Sequence, residues 1–182
     1  MIIYSVLLII IKISFAIVIS YILLFFVLSR ILIPHFNKRI SIPKKIPTSM
    51  QKVINDLKKQ SKNKKEFLEK SYDYLSKKYF GKNREMFKDL TCFYQNIDSV
   101  WSKKGFMPCN IQNQILIIFL IKSGFFKKQD IRKIHIFYQW SVHQYLEVKI
   151  NNKWIHVDIW KAGYYGVKIG ERPKGMKQKK KS

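Results

Sequence analysis

From Leu7 to Ser29 the chain is apolar at almost every position, broken only by Lys12 and hydroxyl-bearing residues. At about 1.5 Å of rise per residue, a helix of this length crosses a hydrocarbon core ~30 Å thick. The pattern predicts a transmembrane anchor over residues 1–33, with a Lys12 stem long enough to carry its charge to the head groups. A cleaved signal peptide is the competing reading. The apolar stretch exceeds the roughly 7–15 residues such peptides use, and no A-x-A-like site follows it, so an uncleaved anchor is expected.

Beyond the anchor the pattern breaks. Residues 34–65 are rich in Pro, Lys, Ser and Asn, as in IPKKIPTSMQK, and read as a basic juxtamembrane linker ending in a short helix. A folded domain is expected over residues 66–170, opening with a helix in EFLEKSYDYLSKKYF. The run NIQNQILIIFLIKSG reads as a largely buried helix closed by Gly124. Phe87, Leu90, Phe93, Tyr94, Val100 and Trp101 are expected to cover it, and Ile134, Ile136, Tyr138 and Trp140 to form one face of a strand. Residues 171–182, ERPKGMKQKKKS, lack apolar content and read as a disordered basic tail. About 100 to 120 residues remain, enough for one core, and there is no internal repeat.

The end of the domain alternates with period two. In HQYLEVKI, Leu146, Val148 and Ile150 share one face, and His143, Tyr145, Glu147 and Lys149 share the other. Asn151 and Asn152 suit a two-residue hairpin turn because Asn tolerates positive φ. WIHVDIW then places Ile155, Val157 and Ile159 on one face and Trp154, His156, Asp158 and Trp160 on the other. Pairing Ile150 with Lys153 sets Val148 against Ile155 and Leu146 against Val157, which gathers both apolar rows on one side. In that register Asp158 stands opposite Tyr145, one diagonal step from His143, within reach of its imidazole.

Cys109 follows Pro108 and opens the buried helix, so its thiol sits at the positive end of the macrodipole, which favours the thiolate. Backbone N–H groups there can hold an oxyanion. Cys109, His143 and Asp158 thus form a candidate nucleophile, base and orienter for attack on a carboxamide carbonyl through an acyl-enzyme thioester. Gln95 and Trp101, upstream of the cysteine, are candidate oxyanion donors, weighed against an ordinary loop glutamine and core tryptophan. His156 and His135 read as structural. A metal centre built from Cys109, His143, His156 and Asp158 has the right ligand types, but no CxxC or HExxH spacing supports it.

At these residues the chain resembles the transglutaminase-like superfamily, a papain-like group whose site residues run in the order Cys, His, Asp. The matching features are Cys109 with its helix, the strand His143-Gln-Tyr-Leu-Glu-Val148 and the strand Trp154-Ile-His-Val-Asp158. The resemblance spans Glu66 to Gly166. Met107 and Ile159 stand where that family often has Gly and Pro. The resemblance implies an α+β fold with helices packed on an antiparallel sheet, here behind one N-terminal transmembrane helix. It also implies thiol chemistry on protein or peptide amides, by cysteine peptidase or amidase hydrolysis or by acyl transfer. Inactive members make a membrane-tethered binding module the alternative. The chemistry requires no cofactor, and the sequence offers no carboxylate cluster for the calcium that some members use.

Charge adds one more partner class. The 182 residues carry 35 Lys and Arg against 11 Asp and Glu, a net charge of +24, of which the anchor contributes only Lys12 and Arg30. Such a field attracts anionic lipid through the linker and tail. Nucleic acid is not favoured as the main partner, because only Arg30, Arg39, Arg84, Arg132 and Arg172 are arginines, the side chain preferred for reading bases and phosphates. The positive-inside rule puts the domain in the cytoplasm, whereas the resemblance implies the opposite side, because many anchored members of that family face outward. Cys92 and Cys109 are the only cysteines; free thiols are expected, with a Cys92–Cys109 disulfide as the competing state in an oxidising space.

Overall fold

The computed structural model describes residues 2–24, 29–33, 35–82, 85, 96–138 and 141–172. The chain is α+β. In order it contains α1 (Ile2–Ile22), α2 (Ser29–Leu32), α3 (Thr48–Lys59), α4 (Lys64–Lys78), β1 (Tyr79–Phe80) and α5 (Ile97–Ser102). These are followed by β2 (Gly105–Phe106), α6 (Cys109–Lys122), a 3-10 turn, β3 (Ile131–Tyr138), β4 (Ser141–Ile150), β5 (Lys153–Val157) and α7 (Ile159–Tyr165). Strands β3, β4 and β5 form an antiparallel sheet in that spatial order, and β1 and β2 form a separate parallel pair.

Tyr4–Ile22 is long and apolar enough to cross a membrane, with a mean hydropathy of 2.5, and none of it is buried inside the protein. The domain is built around α6. That helix has no polar face to present to water, and every residue from Cys109 to Leu120 is buried. Against it packs α4, started by Asn63, whose side chain accepts from the backbone N–H groups of Lys65 and Glu66 at 3.0 Å each. The helix α4 buries Phe67, Leu68, Ser71, Tyr72 and Leu75, the spacing of one helical stripe. On the other side α6 meets the sheet through Leu146 and Val148, both fully buried. Burying each such aliphatic side chain contributes about 1.5–3 kcal/mol.

The β4–β5 hairpin has the expected register: Ile150 pairs with Lys153, Val148 with Ile155 and Leu146 with Val157. Asn151 and Asn152 turn the chain with φ of 46° and 62°. The second strand stops earlier than its alternation suggests. It ends at Val157, and Asp158, Ile159 and Trp160 belong to the start of α7 instead. Asp158 is the N-cap, accepting from Lys161 N–H at 3.3 Å, and Gly166 closes the helix at φ 66°.

The expected linker over residues 34–65 is part of the domain. Met50 and Ile54 of α3 are fully buried in the main core, so this helix cannot be a spacer. Ahead of it, residues 35–46 run as an irregular strap across α6 and the sheet. The strap is held by its backbone carbonyls: Lys133 Nζ donates to His35 O at 2.9 Å and Arg39 O at 3.1 Å, and Gln114 Nε2 to Ser41 O at 2.6 Å. Of the residues expected to cover α6, Val100 and Trp101 are buried; Phe87, Leu90, Phe93 and Tyr94 lie outside the described residues. Ile134 and Ile136 sit on β3, opposite Tyr145 and His143, and are only half-buried. Trp140 and most of the expected basic tail also fall outside the described residues.

Candidate active site

Pro108 turns the chain from β2 into α6, with φ −61° and ψ 153°, and makes Cys109 the first helical residue. Four of the next five residues are polar and buried, namely Asn110, Gln112, Asn113 and Gln114. Three of them pin the helix start to different parts of the domain. Gln112 Nε2 donates to Met107 O at 2.7 Å, Asn113 Nδ2 to Gln144 O at 2.8 Å, and Gln114 Nε2 to the strap. Each bond supplies an acceptor to a side chain that burial would otherwise penalise. The position of Cys109 is therefore fixed from the β2 side, the sheet side and the strap side at once.

His143 is the third residue of β4 and is 4% exposed. Its Nε2 lies 2.8 Å from Asp158 Oδ2, and Cys109 acts on the same ring through a side-chain hydrogen bond and its charge. Burial by itself would push the imidazolium down; the charge and hydrogen bond of Asp158, with those of Cys109, outweigh it and raise His143 to about 9. Asp158 is fully buried. Desolvation pushes its carboxyl up, but the His143 charge and hydrogen bond, with Lys161 and His156 behind them, hold it below the ordinary carboxylate range.

Asp158 reaches His143 from beyond the ladder, which ends one pair short of it. Its carboxylate is shared, Oδ2 on the imidazole and Oδ1 on the α7 backbone. The helix α4 supports the same point, since Tyr72 Oη lies 3.2 Å from Asp158 O and donates to Val167 O at 2.6 Å. Trp160 backs the imidazole at a ring separation of 5.3 Å. Lys161 is buried close by; desolvation pushes its ammonium down to about 8, against the pull of Asp158 and Cys109.

The structure thus brings Cys109, His143 and Asp158 into one connected chain of thiol, imidazole and carboxylate. Cys109 is a free thiol, 7% exposed, beneath an apolar cluster of Phe36, Val142 and Trp160. Cys92 lies outside the described residues, as does the oxyanion candidate Gln95. Trp101, the other oxyanion candidate, is elsewhere. Its indole N–H donates to Ser49 Oγ at 3.0 Å, and its ring packs 5.7 Å from that of Phe119. Phe119 is ten residues along α6 from Cys109, about 15 Å at the helical rise. Core packing took that tryptophan, so it does not serve the thiol.

His156 is buried against Tyr145 at a ring separation of 4.1 Å and takes no part in the chain. Desolvation pushes it down to about 4, despite Asp158. His135 bonds through Nε2 to Phe36 O of the strap. Among the described residues no group of His, Cys, Asp and Glu is arranged to hold a metal ion.

A scan against protein-family models, a search of curated proteins and a search of solved structures each returned no match to this chain.

Sequence reasoning missed Phe36, Tyr72, Trp160 and Lys161 as neighbours of the site. One signal was available. Lys133, His135 and Gln144 fall on the same row as Ile131, Leu146 and Val148 in the paired strands, so three polar residues interrupt a core-facing row. They do so because the strap's carbonyls need donors there.

Proposed function

We propose that the protein is a membrane-anchored thiol enzyme that acts on protein or peptide amide bonds, with a transglutaminase-like core. The observation that carries this is the buried His143, bonded both to Asp158 and to Cys109 at the start of α6. A buried carboxylate on an imidazole fixes its tautomer and stabilises its protonated form.

In this reading Cys109 Sγ attacks the substrate's amide carbonyl carbon, and the C=O electron pair moves to oxygen. N–H groups at the α6 start and the positive end of its dipole stabilise that oxyanion. The C–N bond breaks as His143 gives its proton to the leaving nitrogen, which leaves a thioester on Cys109 and a neutral imidazole held by Asp158. Water or an amine then attacks the thioester, His143 takes the proton of the incoming nucleophile, and the thiolate is released. Water gives hydrolysis and an amine gives acyl transfer. No cofactor enters the scheme.

The alternative reading, a catalytically inactive binding module, is favoured by one observation, the covered thiol. An iodoacetamide-type probe on the full-length protein separates the two. Labelling near neutral pH is expected at Cys109, with a loss of about a hundredfold or more in His143→Ala, the lower end of what a positioned proton acceptor contributes. Labelling of Cys92 and Cys109 at equal rates, unaffected by His143, rejects the enzyme reading.

The helix Tyr4–Ile22 supports a single-pass anchor, and the basic residues after it support contact with anionic lipid. Charge bias favours a cytoplasmic domain; the family resemblance favours an extracytoplasmic one.

A further inference from the structure

The cover over Cys109 is part of the chain's own strap. Phe36 is 4% exposed and forms one cluster with Cys109, Val142 and Trp160, edged by Ile33. It is delivered there by a sharp turn. His35 has φ 60°, a left-handed conformation uncommon outside glycine, and Phe36 N–H bonds back to Ile33 O at 3.2 Å.

Besides the burial of Phe36 and the packing of Ile40, Ile42 and Ile46 on the main core, the strap is gripped by its backbone. Gln144 Nε2 lies 3.2 Å from both His35 O and Phe36 O, His135 Nε2 bonds to Phe36 O, and Lys133 Nζ takes His35 O and Arg39 O. Lys133 and Gln144 are themselves 2% and 0% exposed. A peptide that takes the same turn offers the same carbonyls, so these donors form a grip for backbone beside the thiol, next to a buried site for one bulky apolar side chain. The indole N–H of Trp160, a member of the same cluster, is buried and finds no acceptor among the described residues.

We propose that the site over Cys109 is a subsite for a peptide segment bearing a bulky apolar residue, and that Phe36 fills it in cis, closing the thiol until the strap is displaced. The inference rests on the thiol-enzyme reading for the reactivity of Cys109 but not for the occupancy of the subsite. A peptide substrate must then displace the strap, and apparent reactivity is reduced by the fraction of molecules that are closed.

The test is the rate of iodoacetamide alkylation at Cys109 in full-length protein in detergent micelles, read by peptide-mapping mass spectrometry. Phe36→Ala is expected to raise the rate at least about tenfold, with Phe36→Leu in between, since the open fraction sets the rate. A synthetic peptide of residues 35–42 is expected to suppress alkylation of the Phe36→Ala protein, and the same peptide carrying Phe36→Ala is not. Alkylation of Phe36→Ala at the wild-type rate overturns the proposal. So does faster alkylation that the peptide leaves unchanged, the result expected if the variant has merely loosened. Adding His143→Ala to Phe36→Ala separates the two readings. Peptide protection with no dependence on His143 keeps the subsite and sinks the activated thiol; dependence on His143 without peptide protection does the reverse.

Discussion

The ring of Trp160 lies flat on the backbone of Gly81, so close that a Cβ at Gly81 would fall 2.1 Å from the indole. Gly81 N–H also donates to Trp160 O at 3.0 Å. A residue in the loop after β1 thereby sets the position of the ring that backs His143. Gly81→Ala is expected to push the indole off this seat and to cost about 1–3 kcal/mol, the range for overpacking a filled core. The drop in thermal midpoint checks the packing, and a parallel drop in the His143-dependent labelling of Cys109 checks the link to the site. A normal midpoint with normal labelling contradicts the contact.

Asp158 serves two structures at once, so its substitutions separate by chemistry. Asn keeps an oxygen for the α7 cap and removes the charge, whereas Ala removes both. Breaking a buried pair by deleting one partner costs about 3–5 kcal/mol, and losing a cap adds roughly 1 kcal/mol. Asp158→Ala is expected to be the less stable of the two, and both are expected to lower the His143 titration from about 9. The pH dependence follows from the directions of the shifts. His143 is raised, so its contribution is complete below about 6.5 and is lost as pH rises through about 9. Asp158 is lowered, so its contribution is present above its ordinary value of 3.8 and is lost as the solution is made more acid. The stability difference between wild type and Asp158→Asn is therefore expected to be largest between roughly pH 4 and 6.5 and to shrink as pH rises through about 9. Thermal melts across that range, with imidazole NMR, measure both.

How much of this was legible in the sequence depends on how each contact is made. The hairpin register was readable because two apolar rows fix a period-two pattern and Asn151-Asn152 permits one turn type. The start and end of α6 were readable from Pro108 and Gly124, which punctuate an apolar run. The strap was not. Its hydrogen bonds to the sheet run through backbone carbonyls, which any residue supplies, and the donors that reveal it sit about a hundred positions away on β3 and β4. The start of α7 was misread because Trp154 to Trp160 keeps alternating after the strand has ended. Asp158 as a cap and Gly166 as a stop were the signals against that strand.

His156 gives the domain a second acid-sensitive group. It is buried against Tyr145, and Asp158, Arg172, Glu147 and His143 all act on it; burial dominates and brings it down to about 4. A histidine lowered in the folded state contributes stability at and above its ordinary value of 6.5, and that contribution is lost as pH falls toward 4. His156→Phe keeps an aromatic ring on Tyr145 and removes the titration. It is expected to flatten the fall in thermal midpoint between pH 6.5 and 4. A fall as steep as that of wild type assigns the acid sensitivity to another group.

Asn113 joins the helix that carries Cys109 to the strand that carries His143. It is fully buried, and its Nδ2 donates to Gln144 O at 2.8 Å from a position one turn beyond Cys109. Leu is close in size but cannot donate, so Asn113→Leu leaves the Gln144 carbonyl without that donor at a cost of about 1–3 kcal/mol. Gln114→Leu removes a comparable bond to Ser41, but that acceptor belongs to the strap, where the contact is only partly buried and water can replace the donor. The expected order of thermal midpoints is wild type, then Gln114→Leu, then Asn113→Leu. Only Asn113→Leu is expected to weaken the dependence of Cys109 labelling on His143, because it alone loosens the helix from β4. Equal midpoints for the two variants would mean that α6 is held on the sheet by its apolar face, with the amide bond contributing little.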